Sequence, residues 1–284
     1  MIISGKSKCA AVIGWPVAHS KSPLLHGFWL DRYGIDGVLI PLAVEPHDFD
    51  EVVRLLPKMG FVGACVTLPH KLAALAAVDQ ADETAISIGA VNTITVKPDG
   101  SLYGQNTDGF GFIENLKQFE PEWDAGGGAA VVLGAGGATR AVLYALSQAG
   151  ASEIRLCNRT QSKAQKLCDE LSPYLKCEIR VFDWNERHII LQDAKLLVNT
   201  TSLGMEGQAP LDLSLEALDR AALVTDITYT PLLTPLLNTA QARGNKIVDG
   251  LGMLIHQARP GFKTWFGCEP DVTDELRQFL LQQR

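Results

Sequence analysis

The sequence predicts an α/β fold in two domains with mostly parallel sheets, and three observations carry that reading. Short apolar runs alternate with helical patterns along most of the chain, as strand and helix crossover units require. The length, 284 residues, is that of roughly two domains. A stretch over residues 120–128, with Pro121 and three consecutive glycines, breaks the alternation and reads as a surface loop leading into the second domain.

The elements follow in order. Residues 10–13 read as a strand ended by Gly14 and Pro16. Ser22 and Pro23 then supply an N-cap and a first-turn proline for a helix over 24–33, stopped at Gly34. Strands over 38–44 and 61–68 alternate with helices over 49–56 and after Pro69. Residues 92–96 and 102–104 flank Pro98-Asp99-Gly100 and read as a hairpin. Beyond the glycine loop come a strand over 129–133, a helix from Gly137 to about Gln148 with Gly150 as its stop, and a strand over 153–157. Further strands are expected near 178–182, 196–199 and 223–227. Residues 250–284 carry helical apolar spacing at Leu254, Ala258, Leu276, Phe279 and Leu280 and are expected to return to the first domain. The expected division is therefore 1–108, 109–248 and a returning helical segment 249–284, with the site in a cleft between two domains.

Composition narrows the class. A hydrophobic fraction of 46% and a charged fraction of 20% are those of an ordinary globular protein. The formal net charge of −7, with no dense block of Lys and Arg, argues against a nucleic-acid partner. The six cysteines are scattered, with no CxxC pair and no histidine at zinc-like spacing, so no metal site is expected and reduced thiols fit best. Met1-Ile2-Ile3-Ser4-Gly5-Lys6 lacks the apolar core of a signal peptide. No apolar run approaches the ~20 residues that span a bilayer. A cytoplasmic protein acting on small molecules, as a monomer or homodimer, is the expectation.

Three constellations carry chemistry. The first is an apolar strand running into Gly134-Ala135-Gly136-Gly137-Ala138-Thr139 and then a helix, the way a Rossmann-type domain presents bare backbone amides to a pyrophosphate. Thr139 stands where the third glycine or alanine of that fingerprint falls, and glycine turns also occur for packing alone. The end of the next strand adds weight: it carries Asn158-Arg159-Thr160 in place of the acidic residue that binds the ribose of NAD. Arg159 can pair with the phosphate that distinguishes NADP, and Lys163, one turn on, can add charge there. A solvated arginine and lysine are the plain alternative.

The second is Lys71 with Asp108 in Gly104-Gln105-Asn106-Thr107-Asp108-Gly109. A carboxylate beside an ammonium favours the charged amine and fixes its direction, so the lysine can protonate or stabilise a developing alkoxide. Two independent surface residues are the alternative. The third is Gly14-Trp15-Pro16-Val17-Ala18-His19-Ser20-Lys21-Ser22-Pro23. Here Ser20 and Ser22 form a carboxylate clamp at a helix N-terminus, or Ser22 merely caps it. His19 and His26 read as structural.

These segments, with Val66-Thr67-Leu68-Pro69-His70-Lys71, Gly89-Ala90-Val91-Asn92-Thr93, Asn199-Thr200-Thr201-Ser202-Leu203-Gly204-Met205, residues 226–231 and Gly252-Met253-Leu254-Ile255-His256-Gln257, resemble the shikimate dehydrogenase family over nearly the whole chain. The resemblance implies reversible reduction of 3-dehydroshikimate to shikimate with NADPH, in aromatic amino-acid biosynthesis. It implies Lys71 and Asp108 as catalytic dyad and Ser20 and Ser22 on the substrate carboxylate. Thr67, Asn92, Asp108 and Gln257 would hold the ring hydroxyls, with Tyr229 near the carboxylate. Gly134, Ala135, Gly136, Gly137, Ala138 and Thr139 would bind the pyrophosphate, and Asn158, Arg159, Thr160 and Lys163 the adenosine ribose phosphate. Thr200, Met205 and Gly250 would complete the cofactor contacts.

Two departures stand out. Cys65 and Gly27 occupy positions where the family usually has Asn. On a strand, Cys65 and Thr67 share a face, which would put the thiol on the substrate side; a core cysteine indifferent to substrate is the alternative. Rival readings are a quinate or quinate/shikimate dehydrogenase and a non-catalytic sensor of shikimate-like ligands. Arg159 argues against the NAD-preferring quinate enzyme, and the presence of Lys71 and Asp108 against the sensor.

Overall fold

The computed structural model describes residues 3–283, so Met1, Ile2 and Arg284, which belong to the expected terminal segments, lie outside the described residues. The chain divides into two units, Met1–Asp108 with Ile255–Arg284, and Gly109–Leu254.

The first unit runs β1 (Lys8–Gly14), α1 (Ser22–Arg32), β2 (Gly37–Ala43), α2 (Phe49–Leu55), β3 (Phe61–Val66), α3 (Lys71–Ala77), β4 (Gln80–Ala81), α4 (Glu83–Ile88), β5 (Thr93–Val96) and β6 (Leu102–Gln105). Its strand order is β2-β1-β3-β5-β6-β4. β1 pairs in parallel with β2 and β3. β5 and β6 form the expected hairpin and add antiparallel pairs. Ala11, Ile13, Val53, Ala64, Val66 and Ile94 share one buried cluster.

Two local readings need correction. α1 starts at Ser22, with Lys21 at the cap position and no side-chain cap. Ser22 is therefore a helical residue, and its own N–H donates to Ser20 Oγ at 3.3 Å. α4 was not anticipated, although its signals are local: the Asp82 carboxylate accepts from Ala85 N at 2.6 Å, and Gly89 ends the helix in the left-handed region at φ 74°.

The second unit holds α5 (Asp108–Phe119, from Gly109 on), β7 (Ala129–Leu133), α6 (Gly137–Gln148), β8 (Glu153–Cys157), α7 (Gln161–Leu171), β9 (Glu178–Phe182), β10 (Ala194–Asn199), β11 (Leu223–Asp226), α8 (Pro235–Ala242) and β12 (Ile247–Val248). Every pair in its sheet is parallel. The order β12-β11-β10-β7-β8-β9 is doubly wound, and the strand order reverses between β7 and β10. Nucleotides bind at such a switch point, outside the carboxyl ends of the strands.

α9 (Leu251–Phe266) and α10 (Asp274–Gln282) complete the chain. Gly267, at φ 80°, ends α9, so the C-terminal segment is two helices with an irregular link between them. In the first unit, Trp265 Nε1 donates to Ile94 O at 3.1 Å. Gly63 is what permits this, since a Cβ there would lie 2.1 Å from that nitrogen.

Candidate active site

Lys71 is the first residue of α3, and the turn that delivers it is fixed from below. His70, 2% exposed, stacks on Phe49 with ring centroids 4.5 Å apart and lies 2.8 Å from Val44 O through Nε2. Burial holds its imidazole below the usual histidine range, partly offset by the Val44 carbonyl. The Lys71 ammonium donates to Asp108 Oδ2 at 2.5 Å, with side-chain exposures of 18% and 7%.

Asp108 is held as closely. Its N–H donates to Asn106 Oδ1 at 3.1 Å, and its Oδ1 accepts from Asn92 Nδ2 at 2.8 Å. Asn92 also donates to Thr107 Oγ1 at 3.0 Å and to Gln257 Oε1 at 3.2 Å. Asn92 Oδ1 accepts from Thr107 N at 2.9 Å, and Thr107 Oγ1 lies 2.8 Å from Gln257 O, to which it donates. Lys71, Asp108, Asn92 and Gln257 are thus one network, with a partly exposed ammonium at one end. Such a group can deliver a proton or meet a developing oxyanion.

Thr67 and the serines sit at the carboxyl ends of neighbouring strands. Thr67 follows β3, and its N–H donates to Ile13 O at 2.9 Å. Gly14 allows that approach, because a Cβ there would be 2.5 Å from Thr67 Cγ2. Ser20 lies on the loop after β1, where its N–H donates to Val17 O at 2.9 Å, and Ser22 is the first residue of α1.

His26 is fully buried among Trp29, Phe262 and Trp265. Burial pushes its pKa down to about 3, so it is a neutral core group. Its Nε2 lies 3.9 Å from the Cys65 sulfur. Cys65 is 7% exposed, and burial pushes its thiol up to about 12, against a lowering by Lys71 and with a further rise from Asp108. The thiol is near the dyad's charges but belongs to the core.

In the second unit the glycine turn joins β7 to α6. Gly134 has φ 116°, and a Cβ there would lie 2.5 Å from Thr200 Oγ1. Added Cβ atoms at Gly136 and Gly137 would meet nothing within 4 Å, so open space lies before the helix N-terminus, as a pyrophosphate requires. Thr139 is fully buried; its hydroxyl accepts from Gly136 N at 2.9 Å and bonds Thr200 Oγ1 at 2.8 Å. Thr200 donates in turn to Leu133 O at 2.7 Å. Both hydroxyls therefore shape the turn, which explains a threonine where the fingerprint has glycine or alanine. Arg159, Thr160 and Lys163 are exposed, and Asn158 Nδ2 donates to Thr160 O at 2.8 Å.

Family profiles match residues 12–94 (shikimate dehydrogenase substrate binding domain), 117–205 (shikimate / quinate 5-dehydrogenase) and 250–277 (shikimate 5'-dehydrogenase C-terminal domain). A shikimate dehydrogenase (NADP(+)) of Paramagnetospirillum magneticum is 55% identical over 279 residues, covering 98% of this chain and 100% of the relative. The chain belongs to the shikimate dehydrogenase family. Among solved structures, a shikimate 5-dehydrogenase from Thermus thermophilus in complex with NADP(H) and shikimate is 36% identical, with TM-score 0.84 and coverage of 96% and 98%. A quinate dehydrogenase from Corynebacterium glutamicum in complex with NAD has TM-score 0.90 at 29% identity, covering 97% and 99%.

Within this family fold the remaining residues fall as follows. Tyr229 is half-buried, and burial raises its phenol pKa. Gly250 is packed against backbone, since a Cβ there would be 2.4 Å from Ile227 O, while Met205 is 39% exposed. The loop bearing Thr200 and Met205 is pinned by Asn199, which donates to Asp226 Oδ2 at 2.9 Å and to Leu203 O at 3.1 Å. Burial raises the Asp226 pKa, opposed by hydrogen bonds led by that from Asn199. Sequence reasoning assigned no role to Thr107 or Asn106; their place in the Asn-Thr-Asp segment was the available signal. Among the described residues no group of three or more His, Cys, Asp or Glu could hold a metal ion, and no helix is long and apolar enough to cross a membrane.

Proposed function

We propose that this chain catalyses the reversible NADPH-dependent reduction of 3-dehydroshikimate to shikimate, and that the Lys71–Asp108 pair is its catalytic dyad. The observation that carries the dyad is the 2.5 Å contact between Lys71 Nζ and Asp108 Oδ2, completed by Asn92 on the other carboxylate oxygen. NADPH, held at the glycine turn, at Thr200 and at Asn158, Arg159, Thr160 and Lys163, with Met205 and Gly250 toward the nicotinamide, would supply the hydride when bound.

The chain's own residues do the rest. As the ring carbonyl gains electron density, the Lys71 ammonium stabilises the oxygen and gives it a proton. In the reverse direction Lys71, neutral at that moment, takes the hydroxyl proton. Asp108 keeps the ammonium pointed and compensates its charge, with the carboxylate itself held by Asn92. Thr67, Asn92, Asp108 and Gln257 orient the ring through its hydroxyls, and Ser20, Ser22 and Tyr229 receive the carboxylate. Orientation of this kind lowers the entropic part of the barrier. The chain acts on small molecules in the cytoplasm as a monomer or homodimer, and its net charge of −7 supports no nucleic-acid partner.

The likeness to the NAD-bound quinate dehydrogenase gives the second reading. Initial rates with shikimate or quinate, each paired with NADP or NAD, separate the two. The proposal expects shikimate with NADP to be fastest; quinate with NAD ahead of it would overturn it in favour of the second.

A further inference from the structure

α1 is strapped along its length by the chain beyond Gly267, and the strap ends on the serine loop. Trp29 Nε1 donates to Asp271 O at 3.0 Å, and Asp271 N donates to Tyr33 Oη at 2.9 Å. Arg32 pairs with Glu275 at 2.7 Å. The rings of Phe28 and Phe279 lie 5.3 Å apart. As the numbers fall along α1 they rise along the strap, so α10 runs antiparallel to α1. The last step is Lys21, whose ammonium donates to Leu280 O at 2.7 Å and to Gln283 O at 2.9 Å.

Those two carbonyls lie at the C-terminal end of α10, where the final turn lacks helical N–H partners and carries the negative end of the helix dipole. A lysine between two serines that receive a carboxylate would ordinarily be read as that anion's counter-ion. Here the ammonium is committed to α10, which leaves the anion to groups other than the lysine, the two hydroxyls among them.

We propose that Lys21 is a positioning residue for the substrate carboxylate, anchoring the start of α1, from Ser20 to Ser22, to the end of α10 and thereby setting where the two hydroxyls stand. The inference rests on the reading of Ser20 and Ser22 given above. It makes the C-terminal helix part of the substrate-binding apparatus although α10 supplies no group to the substrate.

The test is a steady-state comparison of Lys21→Met, Lys21→Arg, Ser20→Ala/Ser22→Ala and the triple variant with Lys21→Met. Methionine keeps the apolar stem and removes the charge-assisted bonds. Lys21→Met should raise KM for shikimate about tenfold while kcat and KM for NADP stay within about twofold. Lys21→Arg should restore most of the affinity. In the double-serine background Lys21→Met should have little further effect, because both changes act through the same hydroxyls. An unchanged KM for shikimate in Lys21→Met would overturn the inference. So would an equal rise in the double-serine background, or parallel losses in kcat and both KM values with a lowered melting temperature, which mark a merely structural lysine. If Ser20→Ala/Ser22→Ala itself leaves KM for shikimate unchanged, the carboxylate reading of the serines fails first and the inference goes with it.

Discussion

Asn92 Nδ2 lies 2.8 Å from Asp108 Oδ1, so the carboxylate that faces Lys71 is held on its other oxygen by a group 2% exposed. Asn92→Ala should therefore let the carboxylate turn and leave a buried lone pair without its donor. The expected result is a loss of about ten- to a hundredfold in kcat/KM, with KM for NADP unaffected. Retention of full kcat/KM would show that Lys71 alone sets the position of Asp108.

Lys71→Ala should depress kcat by about 10²- to 10⁴-fold, the range of a lost general acid or base, while cofactor binding is nearly preserved. Asp108→Asn should affect both kcat and KM for shikimate, since Asp108 serves the ammonium and a ring hydroxyl. Rapid-quench or steady-state rates with titrated NADPH binding check this. Near-normal turnover in Lys71→Ala would sink the dyad.

How much of this was legible in the sequence depends on how local the cause is. The glycine turn, the strand that precedes it and the placing of Lys71 at the start of a helix follow from residues within a few positions of each other. α4 had equally local signals in Asp82 and Gly89, to which the sequence reading assigned no helix. Thr139 could not be explained locally, because its partner Thr200 is 61 residues away. The same holds for Lys21 and the carbonyls of Leu280 and Gln283, and for Cys65, whose sulfur meets His26 of α1, 39 residues away.

Arg159 is exposed beside the N-terminus of α7, with Asn158 and Thr160 next to it in sequence where an acidic residue would repel an extra phosphate. Charge-assisted bonds there are worth roughly 1.5–3 kcal/mol, or about one to two decades in affinity. Arg159→Ala should raise KM for NADP by that factor and leave KM for NAD within about twofold. Equal losses with both cofactors would mean a damaged fold.

His26 is expected to make the first unit acid-sensitive. The unfolded chain takes up a proton near the ordinary value of 6.5, the buried imidazole only near 3, so between those values the unfolded state binds more protons. Stability from the neutral ring is thus complete above pH 6.5 and is lost as pH falls toward 3, at up to about 1.4 kcal/mol per pH unit. His256, lowered to about 4 by burial and then by Arg259 and Arg277, adds in the same sense. Urea unfolding at pH 7, 6 and 5 should show falling midpoints, and His26→Phe, fitting an aromatic pocket, should flatten the decline. An identical slope in His26→Phe would remove His26 from the account.

Cys65 tests whether the core or the substrate owns the segment before Thr67. Alternation along a strand predicts a thiol on the substrate side, yet Cys65 is 7% exposed and its sulfur lies 3.9 Å from His26 Nε2. Alkylation needs the thiolate, and with a pKa near 12 only about one thiol in ten thousand is ionised at pH 8. Lys71 pulls the value down, but not enough to offset burial. Brief treatment of the native protein with iodoacetamide, followed by peptide mass spectrometry, should therefore label the partly exposed Cys9 and Cys268 and spare Cys65, with activity retained. Cys157, fully buried and likewise raised to about 12, should be spared too and serves as an internal control. Labelling of Cys65 that shikimate suppresses, with loss of activity in step, would instead put the thiol against the substrate and reopen Cys65 as a contact of the ring.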